Sequence, residues 1–210
     1  MADIKELYGV NDLKDELDYR INNIVATVNM DLTEKLDLVK IARRFNDAEY
    51  FPERFPGLIY RQDKPRATFL IFSTGKMVIT GLEFIQDAKK AVDILIKKIK
   101  KIGIILPDPQ ITIQNIVANG NLHTLIDLNK AATLLEYAMY EPEIFPGLIY
   151  NMKDPRAVFL LFSTGKYVCT GIKDQNVIEE AISKLKKVIK RLGITSKKLI
   201  EQEEQELIFL

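Results

Sequence analysis

Phe55 stands just before the turn Pro56-Gly57, and Phe72 just before Ser73-Thr74-Gly75; Phe145 and Phe162 stand before the same two turns again. Arg54, Arg61, Arg66 and Lys76 accompany the first pair, and Arg156 and Lys166 the second. An apolar ring held at a turn beside cations is a wedge with a grip. The ring can separate stacked bases while Arg and Lys hold the phosphates. Any one of these rings alone would be read as core. Four at equivalent turns point to one surface. If short strands run out over 49–51, back over 58–61, out over 66–72 and back over 76–80, both turns of a half lie at one end, with the basic residues ringing that end.

Other chemistries find little support. A nucleophile, base or metal cluster would need motifs such as His-Glu-x-x-His, Cys-x-x-Cys or Gly-x-Ser-x-Gly, and none is present. His123 is the only histidine and is expected in a loop without partners; Cys169 is the only cysteine and alternates with its neighbours as a small core residue. Ser-Thr-Gly-Lys occurs twice, but without the earlier glycine of a phosphate loop, and it leads into a strand. The chain is expected to be no enzyme and to need no cofactor or metal.

Of 210 residues, 47% are hydrophobic and 28% charged, which suits a folded domain. The apolar runs are far shorter than a membrane span, and residues 1–6 lack the apolar centre of a signal peptide. A reducing, cytoplasmic location is expected. The net charge of +1 hides a division. Residues 1–19 hold two Lys and six Asp or Glu, and residues 196–210 hold two Lys and four Glu. The body between carries 26 Lys and Arg against 19 Asp and Glu, compatible with a polyanion partner.

The body contains itself twice. Phe55-Pro-Gly-Leu-Ile-Tyr60 returns as Phe145 to Tyr150, Pro65-Arg66-Ala67 as Pro155 to Ala157, and Phe72-Ser-Thr-Gly-Lys76 as Phe162 to Lys166, at a constant offset of 90. Upstream, Asn23-Ile-Val-Ala26 matches Asn115 to Ala118 at offset 92. Two copies make a duplicated domain, not a solenoid. The expected division is an acidic extension over 1–19, a first repeat over 20–105, a linker over 106–110, a second repeat over 111–195 and an acidic, then apolar, tail over 196–210. The tail's Glu cluster is expected to visit the cationic rim in competition with a polyanion.

Each copy reads as strand, helix, several strands and a long helix, an α+β arrangement with a mostly antiparallel sheet. Leu38, Ile41, Ala42 and Phe45 share a helical face; Phe84, Ala88, Ala91, Val92, Leu95, Ile99 and Ile102 form the stripe of the long helix, ended at Gly103. Two helices per copy cover one sheet face. Yet Phe69 and Ile71 point one way while Thr68, Leu70 and Phe72 point the other, so both faces are apolar. An open apolar face implies a partner. A homodimer through the sheets, a lipid-binding pocket and a single-stranded RNA-binding sheet are alternatives; the last needs stacking aromatics in mid-sheet, whereas these lie at strand ends.

The duplicated set Asn-Ile-Val, Phe-Pro-Gly-Leu-Ile-Tyr, Pro-Arg, Phe-Ser-Thr-Gly-Lys and Thr-Gly resembles the TATA-binding protein family over about residues 20–195. The family is a standard case of strands that read the minor groove and kink the duplex, so that class comes with the resemblance. It implies a saddle: a ten-stranded antiparallel curved sheet with four helices on the convex face. It also implies an initiation factor that binds and bends A·T-rich promoter DNA and recruits transcription factor B and RNA polymerase. By position, Phe55, Phe72, Phe145 and Phe162 match its intercalating rings. Asn23, Thr80, Asn115 and Thr170 match its central hydrogen-bonding groups, and Val25 and Val117 its groove-floor contacts. Arg54, Arg61, Arg66, Lys76, Arg156 and Lys166 match phosphate positions, and Glu141, Glu143 and Leu148 the region facing transcription factor B. Asn151 departs from the pattern, standing where Arg61 stands in the first copy, and Asn22 replaces a usual Gln. The lack of a long low-complexity N-terminal region suits archaeal members and a nucleoid-associated location. Without DNA, the open face is expected to self-associate.

Overall fold

The computed structural model describes residues 17–195, and the first element among them is β1 (Tyr19–Asn29). There Ile24, Ala26 and Val28 are buried, while Asn23, Val25 and Thr27 between them are half-buried. This period of two recurs in every long strand and separates a covered face from an open one. After β1 come α1 (Leu38–Arg44), β2 (Ala48–Glu49), β3 (Leu58–Asp63), β4 (Arg66–Ile71), β5 (Met77–Leu82) and α2 (Ile85–Lys101). The second half repeats them as β6 (Gln110–Asn121), α3 (Leu128–Leu134), β7 (Ala138–Met139), β8 (Leu148–Met152), β9 (Ala157–Leu161), β10 (Lys166–Ile172) and α4 (Gln175–Leu192). The acidic segment before residue 17 and the tail over 196–210 lie outside the described residues.

The strands form one curved antiparallel sheet in the order β2-β3-β4-β5-β1-β6-β10-β9-β8-β7. Its centre is the pairing of β1 with β6, from Tyr19 opposite Gly120 to Asn29 opposite Gln110. Gly120 is required there: a Cβ would collide with the Asp18 carbonyl and the Tyr167 hydroxyl, which donates to that carbonyl at 3.0 Å. Burial drives the Tyr167 phenol well above its ordinary pKa, keeping it a donor. Nearby, His123 does have a partner, contrary to expectation. Its Nε2 lies 2.6 Å from Asp18 Oδ2, a residue far away in sequence whose approach only the strand pairing creates.

Among the described residues, four helices cover one face. The short helices start alike: Asp37 accepts from the Lys40 N–H and Asp127 from the Lys130 N–H. The long helices bury Ala88, Ala91, Val92, Leu95 and Ile99 in α2, and Ile178, Ala181, Ile182, Leu185 and Ile189 in α4. They lie on Phe69, Ile71, Met77 and Ile79 and on Phe159, Leu161, Tyr167 and Cys169, all at most 1% exposed. Burial raises the Cys169 thiol to about 12, as befits an inert core residue. Gly193 ends α4 in the left-handed conformation, φ 59°, and Gly103 follows Ile102, the C-cap of α2, at φ 80°.

Phe84 departs from the expected stripe. It is the N-cap of α2, 60% exposed, and makes no capping bond, whereas its counterpart Asp174 caps α4 by accepting from the Asn176 N–H. Its spacing fits the stripe, but the helix begins one residue later, so the helical period does not govern its direction.

The halves also differ at one buried position. Gln62 is 6% exposed; its Nε2 donates to the Pro65 carbonyl at 3.3 Å, but among the described residues its Oε1 has no partner. The second half holds Met152 there, 3% exposed. An orphaned buried acceptor costs about 1–3 kcal/mol. Gln62→Met is therefore expected to raise stability by about 1 kcal/mol, read as a higher urea midpoint with unchanged slope.

Candidate nucleic-acid interface

The open face is built from the half-buried parity of eight strands. Val25 faces Asn115, and Asn23 faces Val117, across the β1–β6 seam. Thr27, Leu70, Val78 and Thr80 extend this floor on one side, and Leu160, Val168 and Thr170 on the other. Apolar side chains thus surround two amides at the centre.

The amides have a fixed polarity. Asn23 Oδ1 accepts from the Gly81 N–H at 2.8 Å and from the Thr80 hydroxyl at 3.1 Å. Asn115 Oδ1 accepts from the Gly171 N–H at 2.9 Å, with the Thr170 hydroxyl at 3.3 Å. The two glycines have φ of 86° and 80°, where side chains are rarely tolerated, and the ladders slip at these points. The slip frees each glycine N–H for an amide oxygen. Asn115 Nδ2 also donates to the Thr170 hydroxyl oxygen at 3.1 Å, so with both oxygens occupied each amide nitrogen keeps at least one N–H to face a ligand. These groups are donors, and A·T pairs present only acceptors in the minor groove. A guanine amino group would oppose a donor there. Sequence reading selected Asn and Thr but not this orientation.

Gln114 was missed altogether. Its Nε2 donates to the Thr27 hydroxyl at 2.9 Å, and its Oε1 accepts from Lys173 at 3.0 Å. The offset of 92 pairs it with Asn22, an available but unused signal.

At each end the phenylalanines meet as pairs. Phe55 and Phe72 stand edge to face at 5.8 Å, and Phe145 and Phe162 at 6.0 Å. The turns hold them: the Phe55 N–H donates to the Phe51 carbonyl and the Phe145 N–H to that of Glu141, while Phe72 and Phe162 each close a tight turn with the glycine three residues on. The Phe-Pro-Gly motif gains a steric reason. A Cβ at Gly57 would lie 2.7 Å from Phe55 and 3.1 Å from Phe72; at Gly147 the distances to Phe145 and Phe162 are 2.7 and 3.0 Å. Glycine opens the slot in which the rings meet.

The cations divide into two rows instead of ringing one end. Arg54, Lys76 and Lys166 lie near the rings. Arg66 and Arg156 begin or precede strands that end at the rings, so they stand at the opposite rim, about 17–20 Å away along the strand. Turn lengths in the sequence do not reveal which rim a cation joins. Arg61 lies on the far side too and is paired with Glu49 at 2.6 Å. Both are exposed, so the pair is weak and the guanidinium remains available to another anion. Glu141 and Glu143 are exposed on the second-half turn, but Leu148 is 0% exposed. Leu148 begins β8 on the covered face and supports the turn from beneath; it lines no surface. The large apolar side chain that the turn does expose is Ile144, at 80%, between exposed Pro142 and Pro146.

The central geometry can be tested through its donors. Asn23→Asp and Asn115→Asp replace a donor by a charged acceptor with almost no change in shape. Each is expected to weaken binding to A·T duplex by at least tenfold in an anisotropy titration, because like polarities then meet on a partly dry floor.

Comparisons with known proteins bear on the family and the fold. The family described as "Transcription factor TFIID (or TATA-binding protein, TBP)" matches residues 18–102 and 110–192. A TATA-box-binding protein from Pyrobaculum aerophilum is 54% identical over 177 residues, covering 84% of this chain and 88% of that one. One from Sulfolobus acidocaldarius is 48% identical over 199 residues, covering 92% and 99%. The solved structure of the Methanococcus jannaschii TATA-binding protein superposes with a TM-score of 0.76 at 38% identity, over 83% of this chain and 99% of that one. Repeat, saddle, floor and matches thus converge: the chain belongs to the TATA-binding protein family, of archaeal type, a family of transcription initiation factors and not of enzymes.

Proposed function

We propose that this chain binds A·T-rich promoter duplex through the minor groove, bends it, and presents the bent complex to transcription factor B and RNA polymerase. One observation carries the reading: an open apolar floor with two central amide donors, ended on both sides by a phenylalanine pair. A floor that presents amide N–H donors at its centre fits the minor groove of A·T pairs, which offers only acceptors. The rings would enter the terminal base steps, and the two cation rows would follow the two phosphate backbones. In this reading the repeats are 20–105 and 111–195, joined by 106–110. The Glu141 and Glu143 turn, with Ile144 in place of Leu148, meets transcription factor B. The location is cytoplasmic, at the nucleoid. Without DNA the floor is expected to close on a second copy as a homodimer that DNA displaces.

The direct test is a titration against A·T-rich duplex, G·C-rich duplex and single-stranded RNA over a range of salt. The A·T duplex is expected to win clearly. About six phosphate contacts give a log–log salt slope near −5. Equal affinity for both duplexes, or preference for the RNA, contradicts the proposal.

A second test separates wedge from core. Phe72→Ala or Phe162→Ala is expected to weaken DNA binding by about 1–3 kcal/mol and to reduce bending, with a small change in stability. Phe69→Ala or Phe159→Ala, on the covered face at 0% exposure, is expected to destabilise the fold by about 3–5 kcal/mol. Unfolding and bending assays on the four variants decide between this assignment and its inverse.

A further inference from the structure

The two far rims are not equivalent. In the first half, Arg61 is paired with Glu49, and Asp63 stands opposite Arg66 across the β3–β4 hairpin. Each cation there has a carboxylate partner or neighbour. At offset 90 the second half has Asn151, Met139, Lys153 and Arg156 in these places. Glu49 has no acidic counterpart, and Asp63-Lys64 of the first turn is reversed to Lys153-Asp154, which puts a cation one alternate position beyond the missing arginine. Asp154, in the same turn, is engaged by Lys184 of α4 at 2.8 Å. Among the described residues no ion pair involves Lys153 or Arg156.

That arrangement is unfavourable for the protein alone. Like charges facing each other across a hairpin repel, and the second-half ladder stops one pair short, at Met152 opposite Ala157, where the first continues to Asp63 opposite Arg66. Lys153 is nevertheless held in place. Its Nζ lies 4.2 Å from the centre of the Tyr137 ring. Tyr137 is 59% exposed and has φ 62°, rare for an aromatic residue, and its carbonyl accepts from the Asn151 N–H at 3.2 Å. Tyr137, Asn151, Lys153, Arg156 and Val158 together line one open groove, and Val158 belongs to the floor. Two uncompensated cations, an amide and a phenol at the edge of that floor suit an anion lying along it.

We propose that Lys153, seated on Tyr137, is a phosphate ligand that replaces the arginine absent from position 151, so that the second half grips the DNA backbone more strongly at its far rim than the first. This rests on the duplex-binding reading above. It makes the two far rims unequal in where their cations stand.

The test uses the full chain and an A·T-rich duplex of fixed sequence, titrated at several salt concentrations. Lys153→Met keeps the aliphatic stem over the ring and removes the charge. It is expected to make the log–log salt slope shallower by about 1 and to weaken binding about five- to tenfold at 0.1 M salt, with the A·T over G·C ratio unchanged. Asp63→Lys builds the same cation into the first half and is expected to steepen the slope by about 1. Slopes equal to the unsubstituted chain in both variants overturn the assignment of Lys153 while leaving the duplex-binding reading intact. An unsubstituted chain with no A·T preference overturns both.

Discussion

The ten strands of the described residues form a single sheet with two large faces, and the four described helices cover one. That constraint organises everything else. The covered face holds Phe69, Phe159 and their neighbours at zero exposure, and the interior is complete without the opposite parity. The opposite parity is therefore free to be a tool, yet most of it is Val, Leu, Thr and Phe, residues that water disfavours. Stability comes from one face and the demand for a partner from the other. Curvature and the glycine-marked slips at Thr80-Gly81 and Thr170-Gly171 turn this apolar surface into a trough with donors at its centre.

The duplication supplies an internal control. Where the halves agree, in the glycine slots beneath the rings, the Asn–Gly–Thr constellations and the Asp caps of the short helices, geometry requires the residue. Where they differ, the requirement is local. Met152 satisfies the buried position that leaves Gln62 Oε1 without a partner among the described residues. Asp174 caps a helix whose counterpart begins at an exposed Phe84. The ion pair of Glu49 and Arg61 has no charged counterpart in the second half, where Met139 and Asn151 stand, so neither half leaves one member of that pair unmatched.

Much of this was legible in the sequence. The offset of 90 gave the two halves, alternation gave the open face, and turn residues located the rings. These signals are local or periodic, so a single chain displays them directly. What escaped depends on contacts between segments far apart. The union of His123 with Asp18, the ion pair of Arg61 with Glu49, the amide orientation at Asn23 and the use of Gln114 all arise only when strands pair. Leu148 and Phe84 were misassigned for other reasons. Phe84 lies at the boundary of a helix, where one residue decides whether the periodic rule applies, and Leu148 came with the resemblance, which places a residue in the turn region but not on a face of β8.

The central claim is that the open face ends in wedges that enter a duplex. The most direct measurement places 2-aminopurine at successive positions along an A·T-rich box and records its fluorescence on binding, since unstacking relieves its quenching. The account predicts a marked rise at the two terminal steps and little change between them, with one rise abolished when one phenylalanine pair is replaced by alanine. A flat response along the whole box, with binding otherwise intact, would contradict it.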